Sequence, residues 1–189
     1  MAQSNGYIPI DPETDPRHWL EDITGERALE WVRERNAQTD QALGNSEAFS
    51  TLKSRLLAIL DLDERIAYVA KHDPYYYNFW RDRAHVRGIW RRTTPEEYAK
   101  SEPSWEVVLD LDKLAATEGN SWQWGGEVWL EPEQTRCLIR LSRGGSDAIV
   151  VREFDIGQKA FVSDGFTLGE AKSKVAWLDW RRRLRSAAA

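Results

Sequence analysis

The stretch TRCLIRLSRGGSDAIVVREFD, Thr135 to Asp155, decides the fold. Thr135 to Leu141 and Ala148 to Phe154 are two runs rich in β-branched and apolar residues, and Gly144-Gly145 lies between them. Glycines supply the positive φ that a tight reversal needs, so the stretch reads as a β-hairpin. Working outward, further short strands are expected at Tyr75 to Trp80, Val86 to Arg92, Trp105 to Asp110, Lys159 to Val162 and Val175 to Leu178. Asp112 to Glu133 breaks the rhythm. It is read as a long connection with a short helix at Lys113 to Ala116 and with Trp122, Trp124 and Trp129 as packing anchors. An aromatic surface for carbohydrate or peptide is the alternative reading of those rings.

Strands at this spacing argue for an all-β repeat. Trp105 to Leu111 echoes Val150 to Ile156, and the offset from Asp110 to Asp155 is about 45 residues, in the range of a four-stranded propeller blade. About two blades fit between residues 66 and 174, fewer than the four to eight of a typical propeller. Before residue 65 the apolar period is helical. Thr24 is expected to cap a first helix carrying Leu29, Val32, Asn36 and Leu43, with Gly44 as its stop. Ser46 is expected to cap a second, with Phe49, Leu52, Leu56, Ile59 and Leu60 on one face. The two are expected to form a thin antiparallel pair, each stripe needing a partner surface.

Composition narrows the functional classes. With 30% charged residues, 41% hydrophobic residues and ten tryptophans in 189 residues, the chain can build a core. A net charge of -5 argues against a nucleic-acid footprint, and the one basic cluster is Arg181, Arg182, Arg183 and Arg185. The lone Cys137 excludes an intrachain disulfide and a cysteine metal site. Neither a signal peptide nor a membrane-length apolar run is visible, so a cytoplasmic location is expected.

Candidate chemistry is sparse. Gly144-Gly145-Ser146-Asp147-Ala148 is one residue short of a nucleophile elbow, but a strand follows where a helix is required. His18, His72 and His85 have no zinc-ligand spacing. Asp61-Leu62-Asp63-Glu64 and Glu96-Glu97 read as solvated turns rather than a catalytic carboxylate pair. No phosphate-binding glycine loop is present. No catalytic, cofactor-binding or metal-ligating residue is assigned.

Several strings together resemble the prolyl oligopeptidase family. Asp15-Pro16-Arg17-His18-Trp19-Leu20-Glu21-Asp22 is similar to its opening, and Ala28 to Val32 with Asn36-Ala37 to its next helical segment. Tyr75 to Trp80 and Gly88 to Thr94 are similar to its first blade. Glu102 to Leu114, Leu141 to Ala148, Val151 to Asp155, Asp164-Gly165-Phe166 and Val175 to Asp179 continue in order. The resemblance implies an α+β chain: an N-terminal helical segment over 1–65, then about two antiparallel four-stranded blades of an incomplete seven-bladed β-propeller over 66–179. In the complete enzyme the propeller covers an α/β-hydrolase domain that holds the serine nucleophile, its acid and its base. Short peptides are cleaved there, typically after proline.

Residues 180–189 depart from the family string. This basic, alanine-ended tail is not expected to form a propeller strand, and a frameshifted or truncated reading frame is the expectation drawn from it. The 189 residues alone are expected to be marginally folded and without peptidase activity, and open blade faces are expected to favour self-association. No nucleic-acid, membrane or cofactor partner is expected. A stand-alone binding protein built on the blades is the other reading.

Overall fold

The computed structural model describes residues 14–62 and 66–178 and the backbone of the strand Leu184–Ala188. The chain divides into two units, Met1–Leu60 and Asp61–Ala189.

The first unit is helical. A 3₁₀ turn at His18–Glu21 precedes α1, Glu26–Thr39, which continues as a π-helical turn, Asp40–Gly44; α2 follows at Glu47–Leu60. Trp19 sits under the Arg27 guanidinium at 4.3 Å and meets the Trp31 ring edge-on at 6.3 Å. Two expectations fail here. The N-cap of α1 is Gly25, because the Thr24 hydroxyl is turned to the Asp22 carboxylate at 3.4 Å. The helices also do not pack along one another: only Ala28 is buried in α1 and no residue in α2. Asn36 interrupts the stripe of α1, and a single stripe offers too little apolar surface to zip two helices together. Ser46 does cap α2, its Oγ accepting from the Phe49 N–H at 3.1 Å.

Among its described residues the second unit holds two antiparallel sheets and the start of a third. The first has the order β1-β2-β3-β4, from Ala70–His72, Tyr75–Trp80, Ile89–Thr93 and Glu106–Asp110. A short helix, α3 at Pro95–Tyr98, lies between β3 and β4, and α4, Leu111–Glu118, leads to the second sheet. That sheet has the order β5-β6-β7-β8, from Trp122–Trp129, Arg136–Arg143, Ile149–Asp155 and Ala160–Phe161, with β9, Thr167–Ala171, also on β7. β10, Ser173–Trp177, pairs with β11, Leu184–Ala188. Two open blades are therefore present, as the alternation implies.

The expected hairpin is β6–β7. Gly144 and Gly145 have φ of 62° and 85°, and the Ser146 N–H closes the turn on the Arg143 carbonyl at 3.2 Å. Both central residues at positive φ define a type I′ turn.

The reading of Asp112 to Glu133 as a connection is corrected: β5 occupies Trp122–Trp129 and is eight residues long. One extra residue hides it. Trp124 opposes Leu141 while Glu127 opposes Ile139, so three steps on β5 match two on β6. This bulge flips the parity of the strand and brings Trp124 and Trp129 onto one face although they are five apart in sequence. Gly126 takes φ of 96° there, and a Cβ on it would lie 2.6 Å from the Arg140 guanidinium.

Two further corrections follow. The echo of Trp105–Leu111 in Val150–Ile156 pairs an edge strand, β4, with an interior one, β7, so it is not a blade repeat. The tail does form a strand: Leu184–Ala188 runs antiparallel to β10, from Trp177 opposite Leu184 to Ser173 opposite Ala188. A ladder uses backbone groups, which small and charged residues supply as well as apolar ones. The tail's composition is therefore no sign of a frameshift.

The core lies between the two sheets. Tyr77, Trp90 and Leu109 of the first interdigitate with Trp122, Cys137, Ile139, Leu141 and Phe154 of the second. Phe79 stacks on Trp124 at 5.1 Å and Trp90 meets Trp129 at 5.7 Å. The tryptophans of the Asp112–Glu133 stretch are thus packing anchors.

Candidate functional site

The faces of the strands sort the polar chemistry. In β2, Tyr75, Tyr77 and Phe79 turn to the inter-sheet core, and Tyr76, Asn78 and Trp80 lie on the other face. On that outer face the Arg91 guanidinium lies between the rings of Trp80 and Trp105, at 4.3 and 4.2 Å. Its Nε donates to the buried Asn78 Oδ1 at 3.1 Å, and Asn78 Nδ2 donates to the Tyr68 carbonyl at 2.7 Å. An open hollow of about 620 Å³ follows, lined by Ile66, Tyr68, Asn78, Phe79, Trp80 and Arg81.

On the core side Arg92 spans the strands. It lies 4.3 Å over Tyr75, donates to Glu106 at 2.6 Å and reaches the Tyr77 hydroxyl at 3.4 Å. Glu106 also holds Lys159 of the turn between β7 and β8. Hydrogen bonds from Lys159 and Arg92 keep the Glu106 carboxyl below its usual range.

A buried carboxylate organises the far end of the second sheet. Glu153, 3% exposed, accepts from Arg136 Nη1 at 3.1 Å and from the Phe166 N–H at 2.9 Å. It thereby fixes the Asp164-Gly165-Phe166 turn, where a Cβ on Gly165 would lie 2.9 Å from the Glu153 Cβ.

The described residues singled out in the sequence each engage a local partner. Ser146 is exposed, with its Oγ on the Ala148 carbonyl at 3.2 Å, in a turn that leads into a strand. His18 meets Glu21 at 3.2 Å and His85 meets Asp82 at 2.9 Å. His72 stacks on Trp129. Among the described residues no histidine nitrogen is hydrogen-bonded to a serine or threonine hydroxyl, and no three His, Cys, Asp or Glu converge as metal ligands. Asp61 pairs with Arg83 at 3.3 Å, the Glu97 carboxylate accepts from the Lys100 ammonium, and Asp63 and Glu64 lie outside the described residues. Arg181, Arg182 and Arg183 also lie outside them. Cys137 is fully buried, which raises its thiol well above the usual range and keeps it unreactive.

The remaining surface feature is apolar. Phe49, Leu52, Leu56, Leu57 and Leu60 of α2 line a groove of about 340 Å³ with Lys53, and these five side chains are 46–65% exposed. Leu57 takes the place expected for Ile59. What the described residues offer is an aromatic wall packed between two sheets, with open faces on either side.

Comparison with known proteins gives this wall its context. The family profile described as "Prolyl oligopeptidase, N-terminal beta-propeller domain" matches residues 5–184.

The chain belongs to the prolyl oligopeptidase family.

It is 44% identical over 167 residues to "Uncharacterized peptidase y4nA" of Sinorhizobium fredii, covering 88% of this chain and 23% of that protein. It is 35% identical over 166 residues to "Uncharacterized peptidase RP174" of Rickettsia prowazekii, with the same coverage. The chain thus spans about a quarter of the curated relatives it matches. The solved post-proline cleaving enzyme of Rickettsia typhi superposes with a TM-score of 0.79 at 34% identity, over 86% of this chain and 25% of that one. Oligopeptidase B of Leishmania major, at 15% identity and a TM-score of 0.62 over 86% of this chain and 23% of that one, shares the fold. Among the described residues no helix is long and apolar enough to cross a membrane.

Proposed function

We propose that this chain supplies the N-terminal helices and first propeller blades of a serine-type peptidase that hydrolyses short peptides, typically after proline. The observation that carries the proposal is the 0.79 TM-score to a post-proline cleaving enzyme, with family similarity over residues 5–184. In this reading the blades screen the substrate by size, and the hydrolytic chemistry belongs to a hydrolase portion outside these residues. The packing of the aromatic residues between the two sheets supports a structural, screening role. The compartment is proposed to be the cytoplasm.

Two measurements test this. The purified 189-residue chain is expected neither to turn over a proline-containing fluorogenic peptide nor to be labelled by a fluorophosphonate. A chimera in which this chain replaces the matched quarter of the Rickettsia typhi enzyme is expected to retain cleavage of that short peptide. A chimera that folds but does not cleave would remove the proposal, as would labelling of the isolated chain.

A further inference from the structure

His72 lies on β1, the edge strand of the first sheet, and Trp129 on β5, the first strand of the second. Their rings stack with centroids 4.0 Å apart and planes 20° from parallel. Tyr77 closes on both, edge-on to His72 at 5.7 Å and to Trp129 at 5.0 Å. The imidazole therefore joins the two sheets directly. Its Nδ1 is sealed from solvent and has no hydrogen-bond partner.

That atom makes the contact sensitive to charge. In the neutral tautomer protonated at Nε2, Nδ1 is a bare lone pair. In the imidazolium it is an N–H with no acceptor in reach. The groups around it do not remove the conflict. On the same strand and its turn, Lys71 and Asp73 pair with each other at 3.2 Å. From β2 come the phenols of Tyr75 and Tyr77, the latter engaged by Arg92. Beyond β5, Glu131 favours the imidazolium by its charge, but both its oxygens accept from Gln134, at 2.9 and 3.0 Å. Glu127, two residues before Trp129, is pushed toward its neutral form by burial, and Cys137, opposite Trp129, stays a thiol. Burial of the ring outweighs the Glu131 charge, and His72 holds its proton less readily than an exposed histidine.

We propose that the His72–Trp129 contact is an acid-sensitive joint between the first two blades, strongest when the imidazole is neutral and weakened when it is protonated. The sign follows from linkage. The unfolded chain binds the proton more readily than the folded one. The joint's contribution is therefore full above the ordinary histidine value of 6.5 and declines as pH falls below it.

The test uses the full chain. Imidazole resonances are followed by NMR from about pH 5 to 7.5, with His18→Asn and His85→Asn assigning the other two rings. Thermal melts over the same range compare the wild type with His72→Phe, which keeps a stacked ring that cannot titrate. Expected are a His72 midpoint below 6.5, a melting temperature that drops on acidification, and a clearly flatter profile for His72→Phe. A midpoint at or above 6.5 overturns the proposal, and so does a variant with the wild-type pH profile. If His72→Phe does not fold, the wild-type titration decides alone.

Discussion

Single residues in this chain matter through the polar groups they bury. Glu153 is the clearest case, because a carboxyl at 3% exposure needs polar partners, and Arg136 and the Phe166 N–H are two of them. Replacing it with alanine leaves Arg136 only its longer pair with Asp155, at 3.5 Å, and leaves the Phe166 N–H without its acceptor in the 164–166 turn. Glu153→Ala is expected to cost about 1–3 kcal/mol in urea unfolding, and Glu153→Gln, which still accepts from Phe166, clearly less. Equal losses would show that the pairing is not what holds the turn. Asp82 carries a second, pH-linked contribution. Burial opposes its charge, but hydrogen bonds from His85, backbone and ring, and from the Ala84 N–H prevail and hold the carboxyl below 3.8. A depressed carboxyl stabilises the fold above its unfolded value, and this is lost as pH falls through the folded one. Asp82→Asn is therefore expected to lower stability at pH 7 and to reduce the steepness of acid unfolding below about pH 4.

At the scale of elements, β5 is the strand on which the sheet-to-sheet core depends and the one that sequence reasoning missed. The alternation Trp122, Trp124 is legible, but the extra residue at Gly125-Gly126 breaks the period, and Trp129 then falls on the wrong parity for a continuous strand. The Gly-Gly pair before a third tryptophan was the available signal, since an isolated glycine inside a strand pattern marks a bulge. Gly126→Val is expected to destabilise the chain by about 1–3 kcal/mol, because valine is strained at positive φ and its Cβ would meet Arg140. Amide exchange along β5 should rise more than along β2; uniform exchange would count against the bulge as a local register device. Trp90, 1% exposed and in contact with rings of both sheets, is expected to lose about 3–5 kcal/mol on replacement by alanine.

On the scale of the whole molecule, the prediction rests on uncovered apolar surface. The α2 groove exposes Phe49, Leu52, Leu56, Leu57 and Leu60 to about half their area. Apolar surface left uncovered on this scale favours association. Sedimentation is expected to show concentration-dependent self-association of the 189-residue chain, reduced by the double variant Leu52→Lys, Leu56→Lys. A monomer at all concentrations would show that the groove is not sticky enough to matter.

What the sequence by itself determined is the identity of the elements with local causes. The β6–β7 hairpin follows from its glycines, the start of α2 from Ser46, the strand Tyr75–Trp80 from its aromatic composition, and the family from ordered strings of residues. Those signals act over a few neighbours, so they survive without the rest of the chain. Only the tertiary structure decided the remainder. The bulge in β5, the strand at Leu184–Ala188, the failure of α1 and α2 to pair and the stacking of His72 on Trp129 each depend on which backbone edge or ring lies opposite. A residue does not encode its opposite number; that is set when two sheets pack and each strand adopts the register that buries its rings.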